Sequence, residues 1–240
     1  MMSDPPRIAK LMAERGLCSR READDYIACG LVYVDGQRVT ELGTRAAPTA
    51  DIRLAPQARR QQAQQRTVPV HKPVGYVSGQ AEDGHPPAAL RIDPKHQRAG
   101  DQPRLSTMRL TRLAPADRLD IDSTGLLVLT QNGRIARARE STIEKKYLVR
   151  IDGTLSKAGL KLLDHGLALD GRPLKPARVS WLDEGRLRFV LREGRKRQIR
   201  RMCELVGVRV VGLKRVRIGR VRLGDLPLGQ WRFLRSDERF

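Results

Sequence analysis

A carboxylate, a phenol and a cluster of guanidinium groups are the reactive side chains that this sequence sets in its most constrained surroundings. Asp120 stands in Arg118-Leu119-Asp120-Ile121-Asp122-Ser123-Thr124-Gly125, directly ahead of the apolar run Leu126–Leu129. A carboxylate at the edge of a buried strand is partly desolvated and needs a cation nearby to stay ionised. The pattern leaves a second reading open, in which one of Asp117, Asp120 and Asp122 only caps the turn. Tyr147 sits in Lys145-Lys146-Tyr147-Leu148-Val149, where it either fills the core or offers a planar wall to a base and a phenol to manage a proton. The third segment is Glu193-Gly194-Arg195-Lys196-Arg197-Gln198-Ile199-Arg200-Arg201-Met202. Gly194 gives a tight strand-to-helix turn, and the arginines fall in the first turns of the helix. Cations there oppose the helix dipole, a small cost that a nearby anion offsets.

The elements that must position these groups are legible from periodicity. In Lys196–Gly207, Ile199, Met202, Cys203 and Val206 take the i, i+3, i+4, i+7 positions and Gly207 ends the helix. Arg197, Arg200 and Arg201 lie beside that stripe, so the helix packs on one side and presents guanidinium groups on the other. Short strand-like runs (VPVHKP, LLVLT, YLVRI, RLRFVLR) alternate with helical pieces from Val68 onward. They predict an α+β domain around a mixed, largely antiparallel sheet. Upstream, Ile8, Leu11 and Met12 keep helical spacing, and Ser19 with Glu22 makes a capping box. Ala23, Tyr26 and Ile27 share a face, and Asp35-Gly36 turns a hairpin between Val32–Val34 and Val39. Helix, helix, hairpin is the expectation for residues 1–58. Residues 56–66 are Gln- and Arg-rich without apolar period and read as a linker, drawn at 59–67, before a catalytic domain over 68–240. Residues 79–105, rich in Pro, His, Gln and Arg, form a segment too long for an ordinary loop.

Composition narrows the partners. Lys and Arg number 47 against 27 Asp and Glu, a formal net charge of +20. Such a surplus favours a polyanion, nucleic acid ahead of an anionic membrane surface, with affinity that falls steeply with salt. Aromatic residues make up only 4%, which argues against a broad base-stacking platform. Cys18, Cys29 and Cys203 lack metal-type spacing and are expected to be reduced core residues. The N-terminus carries no apolar signal core, so the cytoplasm is expected.

Two stretches carry a resemblance. RIAKLMAERGLCSRREADDYIACGLVYVDGQRV is similar to the S-four RNA-binding domain, named for a ribosomal protein. HKPVGYVS, RLDIDSTGLLVLTQNG, KKYLV, REGRKRQIRRMCELVG and LKRVRIGRVRLGDLPLGQWRFL, in that order, resemble the RsuA/RluB/RluF family of ribosomal RNA pseudouridine synthases. The last block looks most like the RluF branch, which acts on large-subunit (23S) rRNA.

The resemblance implies an isomerase that flips a uridine out of its stack and rejoins the base through carbon 5, with no cofactor and no metal. It implies that Asp120 is the essential carboxylate, that Tyr147 stacks on the base and helps remove the carbon-5 proton, and that Arg200 pairs with Asp120. Leu213 would line the pocket. Arg118, Arg195 and Arg197, with Lys10, Arg20 and Arg21 of the first domain, would hold RNA phosphates. The implied partner is ribosomal RNA or a large-subunit assembly intermediate, met by a monomer away from any membrane. Two departures stand out. Asp117 occupies the position of a family glycine, where it could raise the pKa of Asp120 or point outward to Arg118, and His71 replaces an asparagine. A non-catalytic RNA-binding protein on the same scaffold is the main competing expectation. A nuclease or methyltransferase is disfavoured, because no glycine-rich cofactor loop and no metal-spaced carboxylates are present.

Overall fold

The computed structural model describes residues 4–101, 104, 110–137 and 143–238. The chain forms two compact units, Met1–Thr67 with Thr130–Ala138, and Val68–Leu129 with Arg139–Phe240.

In the first unit, α1 (Ile8–Glu14) and α2 (Arg20–Ala28) pack with a sheet of β1 (Val32–Val34), β2 (Gln37–Val39) and β3 (Ile52–Leu54) in the order β2-β1-β3. The Ser19–Glu22 capping box is formed in full. Ile8, Leu11, Met12, Ala23, Tyr26 and Ile27 bury their side chains against Val32, Ile52 and Leu54. Residues 56–64, expected to be linker, are instead α3 (Pro56–Gln64). Proline at its first turn starts the helix, and Ala58 is fully buried in the first unit's core. One small residue among glutamines and arginines anchors it, too weak a period to recognise. The unit is completed by α4 (Gly133–Arg137).

The second unit is built on eight strands: β4 (Thr67–Lys72), β5 (Ala114–Pro115), β6 (Thr124–Thr130), β7 (Lys145–Asp152), β10 (Arg178–Asp183), β11 (Arg186–Leu191), β12 (Arg209–Ile218) and β13 (Val221–Arg222). A separate hairpin joins β8 (Ala168–Leu169) and β9 (Arg172–Pro173). The sheet runs β10-β11-β7-β12-β6-β4, with β13 on β12 and β5 on β6. The β10–β11, β11–β7 and β7–β12 pairs are antiparallel, whereas β12 and β6 are parallel. Along β7 every second residue is buried, so Tyr147, Val149 and Ile151 face one side. On that side α5 (Lys157–Asp164) and α6 (Gln198–Leu205) lay down Leu163, Ile199, Met202 and Cys203.

A second cluster gathers Val68, Val70, Leu127 and Leu129 around the fully buried Trp231. Part of the 79–105 segment belongs to it. Ala88 and Ile92 are buried there, and Trp231 donates from Nε1 to the Asp93 carbonyl at 2.8 Å. Residues 102, 103 and 105–109 lie outside the described residues. Cys18 and Cys203 are buried as expected, but Cys29 is exposed, because it caps α2 where the chain turns away at Gly30. Among the described residues no helix is long and apolar enough to cross a membrane.

Candidate active site

Asp120 sits in the loop between β5 and β6, and that loop is fixed from several directions at once. Ser78 Oγ lies 2.8 Å from both the Leu119 carbonyl and the Leu119 amide, so one hydroxyl donates to the first and accepts from the second. The Asp120 carbonyl accepts from the Ser123 amide at 3.0 Å, and the Ile121 carbonyl from the Gly75 amide at 2.9 Å. Arg215 Nη1 donates to the Arg118 carbonyl and Arg200 Nη2 to the Asp122 carbonyl, each at 3.0 Å. Five consecutive carbonyls, from Arg118 to Asp122, are thus held, which sets the carboxylate's direction before any substrate arrives.

The carboxylate itself is half-buried, and among the described residues it makes no ion pair or hydrogen bond. Its pKa is raised by burial and by the neighbouring Asp122, while Arg197, Arg200 and Arg118 pull it down. The expected direct pairing of Arg200 with Asp120 is corrected here. Arg200 Nη2 lies 3.2 Å from Asp122 Oδ1, and Arg197 Nη1 lies 2.9 Å from Asp122 Oδ2. Both cations therefore reach Asp120 only through their field. The geometry follows from the start of α6, where Arg197 takes a left-handed conformation (φ 53°) that turns it toward the loop. A non-glycine residue held there costs about 1–3 kcal/mol.

Asp117 also departs from both expectations for it. Its Oδ2 pairs with Arg215 Nη1 at 2.9 Å and with Lys145 Nζ at 3.4 Å, and its Oδ1 accepts from the Arg118 amide rather than the Arg118 side chain. Arg215 is completely buried and Lys145 nearly so, so this carboxylate is the counter-charge of two buried cations. The carboxylate that raises the pKa of Asp120 is Asp122.

Tyr147 is buried in one cluster with Leu119 and Leu213. Burial pushes its pKa up; the adjacent Arg215 opposes this, and the charges of Asp117 and Asp120 add to it. Asp120, Tyr147, Arg200 and Leu213 thus converge on one region. Arg118 is exposed and lies 4.0 Å from Glu82. Arg195 is a further correction, because its guanidinium is not left for phosphate. Nη1 donates to the Leu169 and Arg172 carbonyls at 2.9 and 3.0 Å, and Nη2 to the Pro173 carbonyl, tying down the β8–β9 hairpin. In the first unit Lys10, Arg20 and Arg21 are exposed.

Three residues of the site escaped the sequence reading. Lys72 is fully buried, donates to the Pro73 and Tyr76 carbonyls at 2.8 and 2.9 Å, and has its pKa lowered to about 8 by burial and by Arg215. The charges of Asp120 and Asp122 favour its protonated form. Ser78 is the second. The third, Arg215, donates from Nε to the Leu126 carbonyl at 2.8 Å. Its signal was available, since it follows Leu213 by two in a strand where alternation calls for an apolar side chain. His71 is buried beside the C-terminal segment, with Nδ1 2.7 Å from the Leu226 carbonyl. A carbonyl acceptor there puts a proton on Nδ1, and burial holds the pKa of the ring below the ordinary histidine value.

Comparison with known proteins identifies the family. The family model described as RNA pseudouridylate synthase matches residues 66–205, and the S-four domain model matches residues 6–52. The dual-specificity RNA pseudouridine synthase RluF of Escherichia coli (strain K12) is 35% identical over 238 residues, covering 97% of this chain and 76% of that protein. Ribosomal large subunit pseudouridine synthase B of Bacillus subtilis (strain 168) is 29% identical over 218 residues, covering 85% and 82%. A crystal structure of a pseudouridylate synthase matches with a TM-score of 0.65 at 26% identity over 96% of both chains. A catalytic-domain match over more than half of the chain, an S-four domain ahead of it and near full-length similarity to RluF together show that the chain belongs to the RsuA/RluB/RluF family of RNA pseudouridine synthases.

Proposed function

We propose that this enzyme isomerises a uridine in large-subunit ribosomal RNA and that Asp120 is its catalytic carboxylate. The observation that carries the reading is a half-buried carboxylate with no ion pair or hydrogen bond among the described residues, on a loop fixed at five carbonyls, beside a buried tyrosine. The RNA target is inferred from relatives whose names place them on RNA and on the ribosomal large subunit.

The chemistry asks for these groups. The bond from base nitrogen 1 to sugar carbon 1′ breaks, the base turns, and carbon 5 bonds to carbon 1′. Carbon 5 loses a proton and nitrogen 1 gains one, so product and substrate have the same atoms and the same oxidation state. Asp120 serves either as nucleophile toward carbon 1′ or as base toward the sugar, and both routes need it ionised. Arg197 and Arg200 favour that state through Asp122 and through their field. The target must leave its helical stack, and Tyr147 and Leu213 would receive the base in a dry slot. Tyr147 would then take part in removing the carbon-5 proton, while the exposed Arg118 holds phosphate. Lys72, 3.5 Å from the Ile121 carbonyl, and Ser78, on Leu119, are positioning residues for the loop.

The deciding measurement is tritium release from rRNA labelled at carbon 5 of uridine. Wild type releases tritium and Asp120→Asn binds the same RNA without release. Turnover by Asp120→Asn would remove Asp120 from the mechanism. Tight binding without release by wild type would favour a non-catalytic RNA-binding role.

A further inference from the structure

The sheet face opposite Tyr147 carries charge that the reaction does not use. Alternation puts Lys146, Leu148 and Arg150 of β7 on the side away from the buried stripe. Cross-strand register extends that face in rows. Arg178, Val190, Lys146 and Arg217 form one row, and Ser180, Arg188, Leu148 and Lys214 the next. Arg186, Arg150 and Gly212 form the third. Seven cations lie on this face, in rows about 6.8 Å apart along the strands and about 4.8 Å apart between them. Lys146, Arg178, Ser180, Arg188, Val190 and Arg217 line an open groove of about 370 Å³.

Acidic groups meet only part of this charge. Glu144 engages Arg178, Arg192 and Arg217, and Asp183 engages Arg186. Lys146, Arg150, Arg188 and Lys214 have no carboxylate partner among the described residues. Arg188 is held in place by Ser180 Oγ, 3.1 Å from Nε and 3.0 Å from Nη2. The three rows hold two apolar side chains, Leu148 and Val190, against seven cations, a composition that suits phosphate better than a lipid interface.

We infer that this outer sheet face is a second RNA-binding surface, which takes the phosphate backbone of an RNA element other than the one presenting the uridine to Asp120. The two surfaces lie on opposite sides of one sheet, so a single short hairpin does not reach both. A long folded RNA then gains contacts that a short hairpin carrying the target uridine lacks. This rests on the reading of ribosomal RNA as substrate.

The test uses the full chain carrying Lys146→Gln, Arg150→Gln and Arg188→Gln, all outside the catalytic loop. A control variant, Lys157→Gln, Lys161→Gln and Lys175→Gln, removes the same charge elsewhere on the second unit. Binding to a large-subunit rRNA transcript and to short hairpins cut from it is followed against salt. At about 0.7–0.9 per phosphate, the face variant flattens the log–log salt slope for the long RNA by about 2–3. It leaves hairpin binding and hairpin turnover at wild-type levels, and the control leaves all slopes unchanged. An unchanged slope with the long RNA overturns the proposal, as does an equal fall in face and control variants or an equal fall with long RNA and hairpin. Because binding is measured apart from tritium release, absence of release would count against the assigned reaction while leaving this surface to be judged on its own slope.

Discussion

Asp120 and Asp122 are two residues apart yet differ in their electrostatic surroundings. Asp122 holds two guanidinium groups in direct contact, and Asp120 feels the same groups only at a distance while bearing the repulsion of Asp122. An unpartnered carboxylate is a better nucleophile or base than one locked in ion pairs, so this division of labour leaves Asp120 free to react. It also sets a pH dependence. On the proposed role of Asp120, the acid limb of kcat/KM is expected to follow its protonation, at a pKa held above the ordinary aspartate value by burial and Asp122. Asp122→Asn removes the like charge and leaves Arg197 and Arg200 free to act on Asp120. Both changes favour the carboxylate, so the limb moves to lower pH. A pH–rate profile of tritium release checks this, and a limb that stays in place would show that Asp122 does not act on Asp120.

At the scale of elements, the loop's precision depends on how closely β6 approaches β12. The two strands run parallel with Gly125 opposite Arg215. Gly125 has φ +115°, and a Cβ there would fall 2.2 Å from the Arg215 carbonyl oxygen and 2.6 Å from its amide nitrogen. Backbone cannot yield as a flexible side chain would. Gly125→Ala therefore pushes β12 away from the strand that follows the catalytic loop and carries a positive-φ penalty as well. The expected loss is about 2–4 kcal/mol in a urea melt, with turnover falling more than RNA affinity. Wild-type stability and rate in Gly125→Ala would show that the contact is not limiting. The same element, β12, supplies Arg215 to the Arg118 carbonyl and to Asp117, so strand position and loop position are one variable.

For the whole molecule, a net charge of +20 makes phosphate contact the largest sequence-independent contribution to RNA affinity. Lys10, Arg20 and Arg21 are exposed on the helices of the first unit. Replacing all three with glutamine is expected to weaken RNA binding and flatten the salt slope by about 2, with kcat at saturating RNA unchanged. A titration of affinity against salt beside a single-turnover rate separates the two. An unchanged slope would mean that this helical face is solvated surface and no docking module.

Element types that rest on local chemistry were legible in the sequence. The Ser19–Glu22 box, the Asp35-Gly36 hairpin and the stripe from Ile199 to Cys203 depend on neighbours within a turn or two, and each formed as expected. The sequence also singled out Asp120 and Tyr147 by residue type and order. Tertiary structure decided which charges meet. Arg200 against Asp122, Arg215 and Lys145 against Asp117, and Arg195 on three hairpin carbonyls all join residues distant in sequence. A linear pattern shows that a cation is present but not which of several carboxylates lies within reach. α3 was missed for a related reason, because a single buried Ala58 leaves almost no period to find. Local order follows from short-range sterics and hydrogen bonding, whereas ion pairing depends on distances that only the packed sheet and helices set.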